Sequence, residues 1–213
     1  EMWSMVEKAI DFTLSLQQPT GEIYWALSPN GKSWPGAMLT QCSCIWRSIR
    51  NSLNIAKSLG MDKRDWEEAS DKLLRAMREQ PDLFDKMGEN KRRYAMNWFY
   101  PVLTGVLQGK EAKERIDKEW SDFVIDNWGC RVALDEDTTA VAETSELIIT
   151  LALIGEHERA RKLLDWTLKL RDNKPGFCRG IKFPEKVACP PDEERATWTS
   201  AALIMAIAAL SKV

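Results

Sequence analysis

The sequence predicts an all-α chain forming an incomplete α/α toroid: about four helical hairpins, with apolar helices in an inner layer and charged helices in an outer one. Three observations carry this expectation. Helical periodicity runs along almost all of the 213 residues, no convincing alternating strand interrupts it, and apolar helices alternate with amphipathic ones. A helix that is apolar all round needs cover on several sides, and an amphipathic helix needs it on one, which sorts the two kinds into layers.

From Met38, the residues Cys42, Ile45, Trp46, Ile49, Leu53 and Ala56 recur at steps of three and four, so an inner helix begins near Pro35 and stops at Gly60. Asp62 can cap an outer helix near Arg64, with Trp66, Ala69, Leu73 and Met77 on its apolar stripe. The run "YAMNWFYPVLTGVLQG" starts a second inner helix near Tyr94, and "KEAKERIDKEWSDFVIDN" supplies its charged partner near Glu111. "TAVAETSELIITLALIG" and "EHERARKLLDWTLKLRD" make the third pair, starting near Thr139 and Glu156. A last apolar helix, from Arg195 to Leu210, completes the pattern, and residues 1–213 read as a single domain. Its run "WTSAALIMAIAAL" is shorter than the roughly 20 residues that cross a bilayer, so no transmembrane segment is expected.

A formal net charge of -2, with Lys and Arg scattered among Asp and Glu, gives nucleic acid no basic surface to bind. Cys42, Cys44, Cys130, Cys178 and Cys189 are odd in number and lack CxxC spacing, which fits reduced thiols in a cytoplasmic protein. The single histidine, His157, sits at a helix start away from any Cys cluster, so neither a metal nor a cofactor is expected. No secretory signal is visible, and because the chain opens at Glu1 rather than Met, upstream residues and targeting stay open.

In a toroid the joints leading into inner helices gather at one end, around a central cavity. Three joints are rich in aromatic and acidic residues: "GEIYWALSPNGKSWPG", "GCRVALDEDTT" and "GFCRGIKFPEKVACPPDEER". Trp25, Trp34, Trp98, Tyr100 and Trp198 are candidate binding residues, as rings around an apolar ligand, as platforms for sugars, or as packing staples between hairpins. Glu143 and Glu146 interrupt an apolar helix, where carboxylates either face a cavity or find partners. Glu143 lies a helical turn past Thr139, and Glu22 beside Gly21 is a comparable candidate in the first joint.

The first joint, "FTLSLQQPTGEIYW", resembles the QW repeat of squalene and terpenoid cyclases, with Gln17 and Gly21 in place and Ile23 where the repeat has Trp. "LDWTLKLRDNKPGFC" and "FVIDNWGC" are similar to weaker copies. With "LTQCSCIWRSIRNSLNIAKSLG", "AETSEL" and "TWTSAALIMAIAAL", the chain resembles the C-terminal two thirds of squalene-cyclase-like and prenyltransferase-like α/α-toroid proteins. That resemblance implies an isoprenoid ligand in a central aromatic cavity. It also places Asp135 and Asp137 in the cyclases' DxDD motif, with Thr138 replacing the last Asp, and makes Arg131, Arg179 and Arg195 available to a diphosphate. The zinc-binding pattern of protein prenyltransferases is not reproduced.

Two other classes stand beside this one. A six-hairpin glycosidase needs two carboxylates about 5 to 10 Å apart across an open groove, for which Glu22, Asp135, Asp137 and Glu143 are candidates. A non-catalytic scaffold has a filled centre and no converging acids. The ligand is accordingly an isoprenoid or a glycan. Since the ring is short of hairpins, self-association or an upstream segment would cover its exposed flank.

Overall fold

A computed structural model describes residues 2–87, 90–188 and 194–211 and shows a mostly helical chain with three small antiparallel sheets. Its internal contacts divide it into two compact units, residues 1–92 with 104–106, and residues 93–103 with 107–213.

In the first unit, α1 (Trp3–Leu14), α2 (Leu39–Ser58) and α3 (Arg64–Glu79) pack around Ile10, Ile23, Trp46, Ile49, Trp66, Leu73 and Phe84. Trp66 is wholly buried, and its indole N–H donates to Asp11 Oδ1 at 2.8 Å, so the ring brings no unsatisfied donor into the core. Between α1 and α2 lies a short hairpin of β1 (Ala26–Leu27) and β2 (Ser33–Trp34). The Gln and Gly of the first joint turn out to be structural. Gln17 Nε2 donates to Gly21 O at 3.0 Å and to Ala69 O at 2.9 Å, which ties the joint to α3. Gly21 has φ +112° and lies so close to α3 that a Cβ would stand 2.6 Å from Lys72 O, so both its conformation and its surroundings require glycine.

In the second unit, α4 (Ala95–Leu103), α5 (Gly109–Lys118) and the short α6 (Trp120–Phe123) precede a hairpin of β3 (Val124–Ile125) and β4 (Gly129–Cys130). Then come β5 (Thr138–Ala140), α7 (Val141–Leu153), α8 (His157–Lys169), β6 (Gly180–Lys182), β7 (Val187–Ala188) and α9 (Thr197–Leu210). The centre of this unit is α7, which packs against α4, α8 and α9 and buries eight of its 13 residues. Such wide burial explains why its apolar residues show so little sidedness. Trp98 anchors α4: its ring stacks on Phe123 with centroids 5.2 Å apart, and its Nε1 donates to Arg115 O at 2.8 Å.

The helices start within a few residues of their expected positions, but burial separates them less cleanly than two layers require. α4 buries seven of nine residues, whereas α3 buries five of 16, α5 two of ten and α8 four of 13. The expected inner helices α2 and α9 bury only six of 20 and four of 14. On α9, Thr199, Leu203, Ala206 and Leu210 are covered, while Trp198, Ile204, Met205 and Ile207 are exposed. Among the described residues no helix is long and apolar enough to cross a membrane.

A candidate active site on the β5–β6 ladder

The expectation of no strands fails at the place that matters most. β5 and β6 pair antiparallel with Thr138 opposite Lys182, Thr139 opposite Ile181 and Ala140 opposite Gly180. Side chains alternate across a strand, so the two faces of this ladder differ. Thr139 and Ile181 turn inward and are buried, whereas Thr138, Ala140, Gly180 and Lys182 line a cavity of about 350 Å³. Val132, Glu136, Glu143, Arg179 and Trp198 complete its wall. Ala140 and Gly180 leave the floor low, so a ligand can approach the backbone closely.

Glu143 enters this cavity from the first turn of α7, directly after β5. Its Oε2 is buried without a hydrogen-bond partner. Burial pushes its carboxyl above the usual range, opposed by a backbone hydrogen bond and by the Arg179 guanidinium. A largely desolvated carboxyl that holds its proton more tightly than usual and faces a cavity is equipped to protonate a ligand oxygen. Glu136, on the same wall, accepts from Arg93 Nη2 at 2.7 Å. Arg179 pairs with Glu194 at 3.3 Å, and Trp198 presents a half-exposed ring.

Behind Glu143, three residues along α7, Glu146 accepts a hydrogen bond from Tyr100 Oη at 3.0 Å. Burial pushes Glu146 up to about 7, the Tyr100 bond lowers it, and the neighbouring Glu143 raises it further. The folded chain therefore holds a proton there that the unfolded chain, with an ordinary value of 4.5, has already released. The stability this group contributes is complete below the unfolded value and is lost as pH rises through the folded one. Unfolding free energy should accordingly fall between about pH 5 and pH 8, and Glu146→Gln should remove up to ~3 kcal/mol of that fall, read by circular dichroism denaturation across that range.

Of the residues singled out from sequence, the structure brings Glu143, Arg179 and Trp198 into this cavity. Asp137 lines an adjoining one, and its side chain is 80% exposed at 3.8 Å from Arg131. Asp135 is 60% exposed and pairs with Arg93 at 3.0 Å. Arg131 donates to Leu134 O and sits 5.4 Å from the centre of the Phe183 ring, and Arg195 is tied to Asp172 and to the carbonyl of Gly176. Trp98 is 1% exposed in the core rather than on a cavity wall, and Tyr100 is buried against Glu146. Glu22, Trp25 and Trp34 belong to the first unit: Glu22 is buried and accepts from Thr20 Oγ1, and Trp25 meets Trp34 edge to face at 5.4 Å. Glu136, Gly180 and Lys182 were not anticipated.

Among the described residues Cys42, Cys44, Cys130 and Cys178 form no disulfide, and Cys189 lies outside them. Burial pushes the Cys42 thiol up to about 12 and Cys130 well above its ordinary value, so neither is a nucleophile. Among the described residues no group of His, Cys, Asp and Glu is placed to hold a metal ion.

No protein-family model matches the chain. Over 211 residues it is 40% identical to the MMP endo-(1,4)-3-O-methyl-alpha-D-mannosidase of Mycolicibacterium hassiacum. The alignment covers 99% of the chain and 57% of that protein, so the chain spans a little over half the length of its curated relative. A mannosidase at this identity overturns the resemblance to squalene cyclases and prenyltransferases, and with it the isoprenoid ligand. The site agrees with that correction. Asp135 and Asp137 stand largely in solvent, without the desolvation that a cyclase acid requires, and the cavity is walled by Glu136, Glu143, Arg179 and Lys182 rather than dry and aromatic.

Proposed function

We propose that this chain carries the acid side of a glycoside hydrolase site acting on α-linked, 3-O-methylated mannose oligosaccharides. The observation that carries the reading is Glu143, a desolvated carboxyl with one unpartnered oxygen in a cavity of ligand size, in a chain 40% identical to a mannosidase. In this scheme Glu143 gives its proton to the glycosidic oxygen as the bond to the anomeric carbon breaks. Glu136, paired with Arg93, supports the developing positive charge or takes the proton of an incoming water. Trp198 offers a face for the sugar ring, and Val132, Ala140 and Gly180 offer apolar surface to a methyl ether. Asp135, Asp137 and Arg131 act at the rim, and Glu22, Trp25 and Trp34 are held as further glycan contacts of the first unit.

The architectural reading belongs with this one: residues 1–213 form a single α/α-toroid domain, supported by the apolar and amphipathic helices that alternate in both units.

Incubating the protein with α-(1,4)-linked 3-O-methylmannose oligosaccharides should yield shorter oligosaccharides by chromatography, and an α-(1,4)-glucan of equal length should survive. Intact methylmannosides at the end of the incubation would refute the activity.

A further inference from the structure

The cavity at Glu143 does not end at Lys182. Glu136, Thr138 and Lys182 also belong to the wall of a second cavity, of about 680 Å³, continued by Asp137, Phe183, Pro184, Glu185 and Val187. The two cavities are thus neighbours across these three residues.

Two features define what the second cavity accepts. Phe183 and Pro184 provide apolar surface, and the Phe183 ring is held by the Arg131 guanidinium, 5.4 Å from its centre, and by Trp128 at 6.3 Å between ring centroids. Around them stand three carboxylates, Glu136, Asp137 and Glu185, balanced by Lys182 on the wall and by Arg93 and Arg131, which pair with Glu136 and Asp137. That balance gives phosphate, sulfate or uronate no net cationic surface and leaves carboxylate acceptors for hydroxyl groups. A flat apolar platform rimmed by acceptors suits a neutral sugar, whose C–H face stacks while its hydroxyls donate.

We propose that the second cavity is a glycan subsite, with Phe183 as its stacking platform and Arg131 as the positioning residue behind the ring, and that it holds sugar units further along the oligosaccharide engaged at Glu143. This rests on the glycosidase reading. The subsite makes affinity depend on chain length, because only a long ligand reaches both cavities.

The test is calorimetric titration of the Glu143→Gln protein, which keeps its ligand intact, with a 3-O-methylmannose disaccharide and an octasaccharide. The octasaccharide should bind at least about tenfold more tightly, and adding Phe183→Ala should remove about tenfold of that affinity while leaving the disaccharide unchanged. Phe183→Tyr, which keeps the platform, should retain it. Equal melting temperatures for the variants exclude a folding defect as the cause. Equal affinity for both ligands, or a Phe183→Ala loss shared equally by both, overturns the subsite while the activity reading stands. Failure to bind either ligand overturns both.

Discussion

Replacing Glu143 by Gln should lower kcat for methylmannoside hydrolysis by about 10²- to 10⁴-fold, with little change in KM. The substitution keeps the shape of the side chain and removes only the transferable proton. Because Oε2 has no partner within the protein, an amide there breaks no existing contact of that atom. The melting temperature should therefore hold or rise slightly, since burying an amide in place of a carboxyl relieves the desolvation that raises the Glu143 pKa. Glu146→Gln is the informative control. It should shift the alkaline limb of the pH–rate profile, through its coupling to Glu143, without removing the activity. If Glu143→Gln retains wild-type kcat, the acid lies elsewhere.

Trp98→Ala should destabilise the protein by about 3–5 kcal/mol, enough to lower the melting temperature by roughly 10 °C or more. Trp98 is 1% exposed and stacks within 13° of the plane of Phe123, with Phe99 and Trp120 against its edges. Removing the ring leaves a cavity and strips Arg115 O of its 2.8 Å donor. Trp98→Phe should recover most of the packing and leave only the lost hydrogen bond, about 1–2 kcal/mol. Trp34→Ala, at a half-exposed position, should change the melting temperature far less. If the Trp98 and Trp34 variants melt alike, the assignment of Trp98 to the core is wrong.

Helix positions were legible because periodicity is a local signal: the stripe from Cys42 to Ala56 became α2, and the Gly-terminated run before His157 became α7. The depth of burial was not, since an apolar helix announces that it wants cover without saying how much it receives, and α9 receives it on one side only. The joint motif misled for a related reason. Gln17 and Gly21 tie a loop to a helix, a task that any helical hairpin protein can set, so their pattern marks a joint and not an activity. Glu143 and Trp198 stood out as a carboxylate on an apolar helix and an aromatic at a helix start. Glu136, Gly180 and Lys182 did not, because their place depends on pairing two segments some 40 residues apart whose strands are only three residues long, too short for alternation to show.

The ladder beneath the site also has a bearing on how such a groove can change over generations. Its floor is made of every second residue of β5 and β6, so inserting one residue into either strand would turn that strand's buried residue, Thr139 or Ile181, toward the cavity in place of its neighbours. Inserting two residues in each strand would preserve the alternation and lengthen the floor by roughly 7 Å, about the room that another sugar unit needs. Changes of length in this ladder are thus punished at odd steps and tolerated at even ones.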